Sequence, residues 1–345
     1  NGVFSMSEVP RGSCYRVGIA YNLKKNNEDE MEDEQAEYDS ISTIDAIGKA
    51  LDKAGCKVEL LEADEDFPEK LKNSLVDIVF NVAEGKGGRG REAQVPSILN
   101  LYSIPYTGSD EATLCIALDK GLAKRLVKSY RINTPVFFIW KGNFSEIPKN
   151  LKYPVIVKPN AEGSSKGVLG NMIAQNRKEL KELLIEKWER YRQPVLVEEY
   201  IKGREFTVGV VGNGEGKRIF RPMEIIISPD GNPDGSKIYS FHVKTNYESY
   251  VKYECPAKLS KEKEEEIIKT AEKIYDLLEC RDFARIDFML SEDNKLYFIE
   301  INPLPGLAPG YSDYPMLAGY NGLGYDELIK SVLNSGLKRY GMPTV

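Results

Sequence analysis

The stretch Phe283–Pro315, FARIDFMLSEDNKLYFIEINPLPGLAPGYSDYP, limits what this chain can fold into more than any other. Its pattern predicts two short strands, Ala284–Leu290 and Lys295–Ile301, joined by a Ser-Glu-Asp-Asn turn. Asp287 falls in the middle of the first strand, Glu300 closes the second, and Asn302 follows two residues on. An unpaired carboxylate in a buried strand costs several kcal/mol, so an acid in each of two paired strands demands an explanation. A hard divalent cation supplies one. Two carboxylates and an amide oxygen suit Mg2+, which keeps positions open for water and substrate phosphates. A hairpin with its acids in solvent is the simpler alternative for any one of them. The whole set, with Arg285 nearby and a rigid Asn-Pro-Leu-Pro-Gly exit, favours a metal–phosphate site.

A chain of 345 residues predicts two or three domains. A net charge of −6 implies no strongly basic face and argues against a nucleic-acid partner. The cysteines (Cys14, Cys56, Cys115, Cys255, Cys280) are scattered and never form a CxxC pair, which suits reduced thiols in a cytoplasmic protein. Without a long apolar run or a charged-then-apolar leader, neither a membrane span nor a secretion signal is expected. Asn1–Arg11 reads as a loose arm or cloning scar, and residues 1–14 are set apart as a tail. His242 is the single histidine, which nearly excludes Ser-His-Asp and Cys-His mechanisms and histidine-rich metal sites. The chemistry is left to lysine, arginine, carboxylates and metal.

Along the chain, Tyr15–Tyr21 is a buried strand, the acidic run Asn26–Glu37 a loop, and Ser40–Ala54 an amphipathic helix ended by Gly55. Lys57–Glu62 and Asp77–Val82 are further strands. This strand–helix alternation predicts an α/β fold with a parallel sheet wrapped by helices. Gly85, Gly87 and Gly90 match a dinucleotide pattern, but they follow a later strand and Pro96 disturbs the helix that should open there. A loop that admits a ligand close to the backbone is the better reading. A long helix is expected over Asp110–Tyr130, then a β-rich second region from Pro135. Pro154–Pro159 is a strand carrying Lys158, followed by the small-residue loop Asn160–Val168, whose amides could ring a phosphate. Lys178–Arg192 is a helix, Val195–Tyr200 and Arg204–Val211 strands, and Tyr239–Ala257 a long loop whose one short strand carries His242 and Lys244. Lys261–Leu278 and Tyr325–Tyr340 are helices.

Together these segments resemble the ATP-grasp superfamily and, within it, the D-alanine–D-alanine ligases. The resemblance runs from about Ile78 to Ala318, on VAEGKGGRGREAQVPSIL, PYTGSDEATLCIALDK, YPVIVKPNAEGSSKGV, VLVEEYIKGREFTVGV, ARIDFML and FIEINPLPGLAPGYSDYP. It implies an N-terminal parallel sheet with helices (15–109), a central domain (110–206) and a C-terminal domain (207–345), the last two enclosing ATP. It further implies that Lys120 and Lys158 contact the α- and β-phosphates, under a loop from Glu162 to Ser165 that includes Ser164. Backbone at Glu199, Tyr200 and Ile201, with Glu198, would read adenine, and Glu205 the ribose. Asp287, Glu300 and Asn302 would hold a pair of Mg2+ ions, replaceable by Mn2+, and Lys244 would help hold the γ-phosphate. Amino acids, D-alanine first among them, would be the substrates of a cytoplasmic homodimer.

The residue types agree with that chemistry. A carboxylate is a poor electrophile until phosphorylated, and lysine and metal spread the transferred charge. When the second amine attacks the acyl phosphate, the oxyanion needs fixed donors, a role the resemblance gives to Arg285 and the Gly306 amide. Ser312 matches the position that holds the second carboxylate, and Glu37 the acid that binds the first ammonium. The chain also departs from the family. YNLKKNNEDE replaces the glycine-rich opening loop, Glu84 stands where a histidine is usual, and Arg89 with Arg91-Glu92 replaces Glu-Asp-Gly. Asp313-Tyr314 crowd the second-substrate end, Thr245 replaces a tyrosine, and His242 lies near a histidine of the D-alanine–D-lactate ligases. These changes leave the acceptor open among D-alanine, D-lactate, D-serine and other amino acids. A dinucleotide oxidoreductase and a silent nucleotide-binding protein remain as readings from other classes.

Overall fold

The computed structural model describes residues 14–24, 38–162, 172–228 and 250–345. Its first sheet is parallel, in the order β2-β1-β3, formed by β1 (Arg16–Tyr21), β2 (Lys57–Glu62) and β3 (Ile78–Asn81). Between β1 and β2 runs α1 (Ile41–Lys53), whose Ser40 cap accepts from the Thr43 amide. Its Ile44, Ile47 and Leu51 are fully buried, which the apolar spacing requires. After α2 (Phe67–Asn73) and β3, a short 3-10 turn at Arg91–Ala93 opens α3 (Gln94–Leu101). Pro96 does not disturb this helix as expected, because it falls in the first turn, where a missing N–H costs nothing.

The long helix expected over Asp110–Tyr130 is two helices, α4 (Glu111–Leu118) and α5 (Lys120–Ser129). Asp119 adopts an extended conformation between them, and its carboxylate caps α5 through the Leu122 amide. The apolar run hid this break, since the capping acid lies inside a continuous helical pattern. Arg177–Tyr191 forms the next helix, α6. A second sheet, antiparallel in the order β4-β7-β5-β6, comprises β4 (Phe137–Trp140), β5 (Val155–Pro159), β6 (Ile173–Ala174) and β7 (Val195–Glu199).

The third sheet has the order β11-β10-β8-β12-β13, with β9 beside β8. Its strands are β8 (Gly203–Val211), β9 (Arg218–Ile219), β10 (Met223–Ile227), β11 (Val251–Glu254), β12 (Phe283–Ser291) and β13 (Leu296–Asn302). β8 spans the 206/207 boundary drawn from the sequence. Helix α7 (Lys261–Leu277) buries Ile267, Ala271, Ile274 and Tyr275 in a core shared with Phe206, Val208, Ile286 and Phe288. The closing helices α8 (Asp313–Tyr320) and α9 (Tyr325–Arg339) return to the first sheet, where Leu328, Ile329 and Val332 join the core of α1 and β1. Among the described residues no helix is long and apolar enough to cross a membrane.

Asp282, fully buried just before β12, ties these parts together. Its carboxylate accepts from the Gly108 amide (2.8 Å), from Asn213 Nδ2 (2.7 Å) and from Arg339 Nη2 (2.9 Å). Asp282→Ala would leave the largely buried Arg339 guanidinium without its carboxylate, and urea unfolding should show a loss of about 3–5 kcal/mol.

Candidate active site

The acid-bearing strands pair in a fixed register: Arg285 faces Asn302 and Asp287 faces Glu300 across β12 and β13, with an irregularity immediately after Asp287. Strand alternation sends Arg285 and Asp287 to the face opposite Ile286 and Phe288, which fill the core. On the other side of β12, Thr207 of β8 lies opposite Asp287 and donates its hydroxyl to Oδ1 at 2.7 Å. Arg285 grips the same carboxylate through Nε (3.1 Å) and Nη2 (2.9 Å), while its Nη1 lies 3.5 Å from Asp313 Oδ2. Tyr253 of β11 donates to the other Asp313 oxygen at 2.9 Å. Burial, followed by Asp287, Asp313 and Glu300, pushes the Glu205 carboxyl of β8 up to about 8.

Lysines face this sheet from the second one and from α5. Lys120, the first residue of α5, donates to the Glu162 carbonyl and approaches Glu300 Oε2 at 3.5 Å. One helical turn on, Lys124 is completely buried, bonded to the Ile299 carbonyl at 2.7 Å and paired with Glu198 at 2.9 Å. Lys158 of β5 takes the second Glu198 oxygen at 2.6 Å. Desolvation opposes ionisation of Glu198, yet Lys124 and Lys158 hold its carboxyl down at about 2. Desolvation opposes the Lys158 charge too, and Glu198, Glu300 and Glu205 together hold its pKa above the usual lysine value. For Lys124 desolvation wins and lowers it. Against desolvation, Lys120, Lys158 and Arg285 pull the Glu300 carboxyl below its usual value. Asp287 is pushed up by burial and by Glu300.

Glu84, Glu92, Lys120, Glu162, Glu300 and Asn302 line one cleft. The glycine-rich loop therefore forms its wall beside the lysine and the acids. Gly85 has φ +72°, and a Cβ there would fall 2.0 Å from the Arg91 carbonyl, so no other residue fits. At the exit of β13, a Cβ on Gly306 would lie 2.8 Å from Ser312 Oγ, which itself accepts from the Ala308 amide at 3.2 Å.

A family model described as D-ala D-ala ligase C-terminus matches residues 138–334, more than half of the chain. The D-alanine–D-alanine ligase of Aquifex aeolicus is 36% identical over 300 residues, covering 85% of this chain and 94% of the relative. That of Carboxydothermus hydrogenoformans is 32% identical over 87% of this chain and 94% of its own. The chain belongs to the D-alanine–D-alanine ligase family. Its fold is correspondingly that of the ATP-grasp ligases. The ligase of Bacillus anthracis, solved in complex with ATP, superposes with a TM-score of 0.74 at 24% identity over 95% of this chain and 99% of that one. VanG D-Ala:D-Ser ligase from Enterococcus faecalis gives 0.73 at 21% identity, over 94% and 100%.

In this ligase-family chain Lys120, Glu162, Glu300 and Asn302 share the cleft, Lys158 pairs with Glu198, Arg285 and Asp287 face Asn302 and Glu300 across the paired strands, and Gly306 lies against Ser312. Glu205 joins them from β8. Glu199 is exposed at the end of β7, and its amide donates to the Val136 carbonyl at 2.8 Å. The Tyr200 amide donates to Pro154 at 3.3 Å, and Ile201 is buried. Glu37, Ser164, Ser165 and Lys244, with His242 and Thr245, lie outside the described residues. Sequence reasoning missed Lys124 and Thr207 as members of the site, and placed Asp313 there without its contact to Arg285. Lys124 carried a signal, standing four residues after Lys120 and so on the same helix face. Thr207 carried none until the strand register was known.

Among the described residues no group of three or more His, Cys, Asp or Glu side chains is arranged to hold a metal ion. The candidate set here is smaller and all oxygen: the facing Asp287 and Glu300, and Asn302, whose Oδ1 accepts from the Leu304 amide at 3.0 Å and retains a second lone pair. Hard donors within a surplus of carboxylates fit Mg2+ that arrives on phosphates and takes few protein ligands. The surplus also predicts a pH dependence. The unfolded chain gives up the Glu205 proton near 4.5, whereas the fold keeps it to about 8. Stability of the nucleotide-free, metal-free protein should therefore fall as pH rises through that window, and Glu205→Gln should flatten the decline in urea titrations.

Proposed function

We propose that the protein joins two D-alanines at the expense of ATP, giving D-alanyl-D-alanine for peptidoglycan, with ADP and phosphate as the other products. The observation that carries this reading is Lys120 Nζ lying 3.5 Å from Glu300, which pairs across the strands with Asp287. A lysine of the kind that binds phosphate and oxygens of the kind that bind a hard metal thus meet at one point of a cleft, in a chain of ligase ancestry. D-serine or D-lactate as acceptor is the competing assignment.

Lys120 and Lys158 are assigned to the phosphate oxygens. Lys158 keeps Glu198 while doing so, because an ammonium has three N–H donors. Backbone at Glu199, Tyr200 and Ile201 would read adenine. Glu205, whose carboxyl is pushed up to about 8 by burial and the neighbouring acids, is assigned to a ribose hydroxyl. Mg2+ held by Asp287, Glu300 and Asn302 would supply charge neutralisation at the β- and γ-phosphates. Transfer of the γ-phosphoryl group to the first D-alanine carboxylate gives an acyl phosphate. The second amine then attacks its carbonyl carbon, and phosphate leaves with the bonding electrons. Arg285 and the Gly306 amide are assigned to the oxyanion. The clamp of Asp287 and Asp313 on Arg285 supports that assignment, since a donor already held in place needs no reorganisation. Ser312 is assigned to the acceptor carboxylate. Glu37, Ser164, Ser165 and Lys244 keep the roles that the family resemblance implies, and the protein is assigned to the cytoplasm as a homodimer.

Phosphate release over a panel of D- and L-amino acids and hydroxy acids tests the reading, with D-alanine alone supporting turnover; no turnover with D-alanine overturns it. Arg285→Ala should reduce kcat by about 10²–10³, roughly 2.7–4 kcal/mol of barrier, while ATP still binds. Asp287→Asn should first raise the magnesium concentration needed for half-maximal rate, read by titrating the metal at fixed ATP.

A further inference from the structure

Arg89 and Arg91, in the glycine-rich loop, depart from the Glu-Asp-Gly usual in the family, and Arg91 reaches across to the residues that follow β5. Arg91 is nearly buried, with 7% of its side chain exposed. Its Nη1 donates to the Ala161 carbonyl at 2.9 Å, and its Nη2 lies 3.5 Å from Glu162 Oε2. Ala161 and Glu162 directly follow β5 and its Lys158. The same dipeptide is gripped from the other side by Gln193, which accepts from the Ala161 amide at 2.8 Å and donates to Glu162 Oε1 at 2.5 Å. Lys120 then donates to the Glu162 carbonyl. Arg89 lies 3.4 Å from Asp119, the cap of α5, but is mostly exposed. A backbone carbonyl and a carboxylate from the residues after β5 are therefore arranged around one buried guanidinium carried by the 3-10 turn that opens α3.

We infer that Arg91 is a positioning residue for the nucleotide: it holds Ala161–Glu162 in the place from which Lys120 is aimed at phosphate. The inference rests on the ATP reading above. It also explains why an arginine is compatible with this loop. Its charge is spent on the Glu162 carboxylate and the Ala161 carbonyl, so it adds no free cation to the cleft wall. The bond further joins the wall that carries Glu84 and Glu92 to the wall that carries the lysines, making one rigid frame of the two.

The test is steady-state kinetics and calorimetry on the full chain with Mg-ATP and D-alanine, comparing Arg91→Met, Arg91→Lys and Gln193→Leu with the parent. The loss of a hydrogen bond to a charged group should raise KM and Kd for ATP about tenfold in Arg91→Met, with kcat at saturation within about twofold. Arg91→Lys, which restores one donor, should fall between that variant and the parent. Gln193→Leu loosens the same dipeptide from the opposite side without touching the glycine-rich loop, so it should raise KM for ATP in the same direction even where Arg91→Met fails to fold. Unchanged ATP affinity in a folded Arg91→Met or Gln193→Leu protein, with only a lower melting temperature, would overturn the inference. A parent protein that binds no ATP would instead overturn the reading on which it rests.

Discussion

Buried charge of opposite sign, held on two facing sheets, is the constraint on which the rest of the structure depends. Lys120, Lys124 and Lys158 come from α5 and the second sheet, and Asp287, Glu300 and Glu205 from the third. Neither group would be tolerated alone, because an isolated ion in a dry interior costs several kcal/mol. Each set is partly answered by the other: Glu300 is held ionised by Lys120 and Lys158, and Lys158 is held charged by Glu198, Glu300 and Glu205. What remains is an uneven balance, cationic around Lys120 and Lys158 and acid-rich around Asp287. That imbalance matches a polyphosphate carried with its metal.

The scaffold serves this arrangement at several places. Asp119 breaks an otherwise continuous helix, which puts Lys120 at a helix start, where it can bend toward the Glu162 carbonyl. Asn160 locks the break by donating to Asp119 Oδ1 at 2.8 Å and accepting from the Gly121 amide at 3.0 Å. On the other sheet the Arg285–Asp287 pair gains a third and fourth member, Thr207 and Asp313, so the guanidinium has little freedom. Asp313 reaches it from the first turn of α8, which packs Tyr314 and Leu317 against the first sheet's core. The first and third sheets are thus linked through packing as well as through polar contacts.

Much of the fold was legible in the chain. Strict alternation in FARIDFMLS and LYFIEIN located β12 and β13 almost to the residue, because one face must enter a core and the other must not. The residues that compose the chemistry were legible for the same reason: acids, arginine and lysine on such strands stand out against apolar neighbours. What sequence reading lacked was everything that needs register or distance. The helix break at Asp119 was masked by apolar residues on both sides, and Pro96 looked disruptive only because the start of α3 was unknown. The pairing of Glu198 with two lysines joins residues 124, 158 and 198, and no local pattern announces such a contact. Arg91 was recognised as a departure from the family pattern, yet its partners at Ala161 and Glu162 emerge only when the sheets are placed side by side.

In the proposed reaction a D-alanine carboxyl is activated by phosphorylation before the second amine attacks. Positional isotope transfer tests it most directly. D-alanine labelled with ¹⁸O in its carboxyl group is turned over with Mg-ATP, and the released phosphate is analysed by mass spectrometry. Transfer of one labelled oxygen to phosphate per dipeptide formed is the predicted result; phosphate free of label, with dipeptide accumulating, would contradict the account.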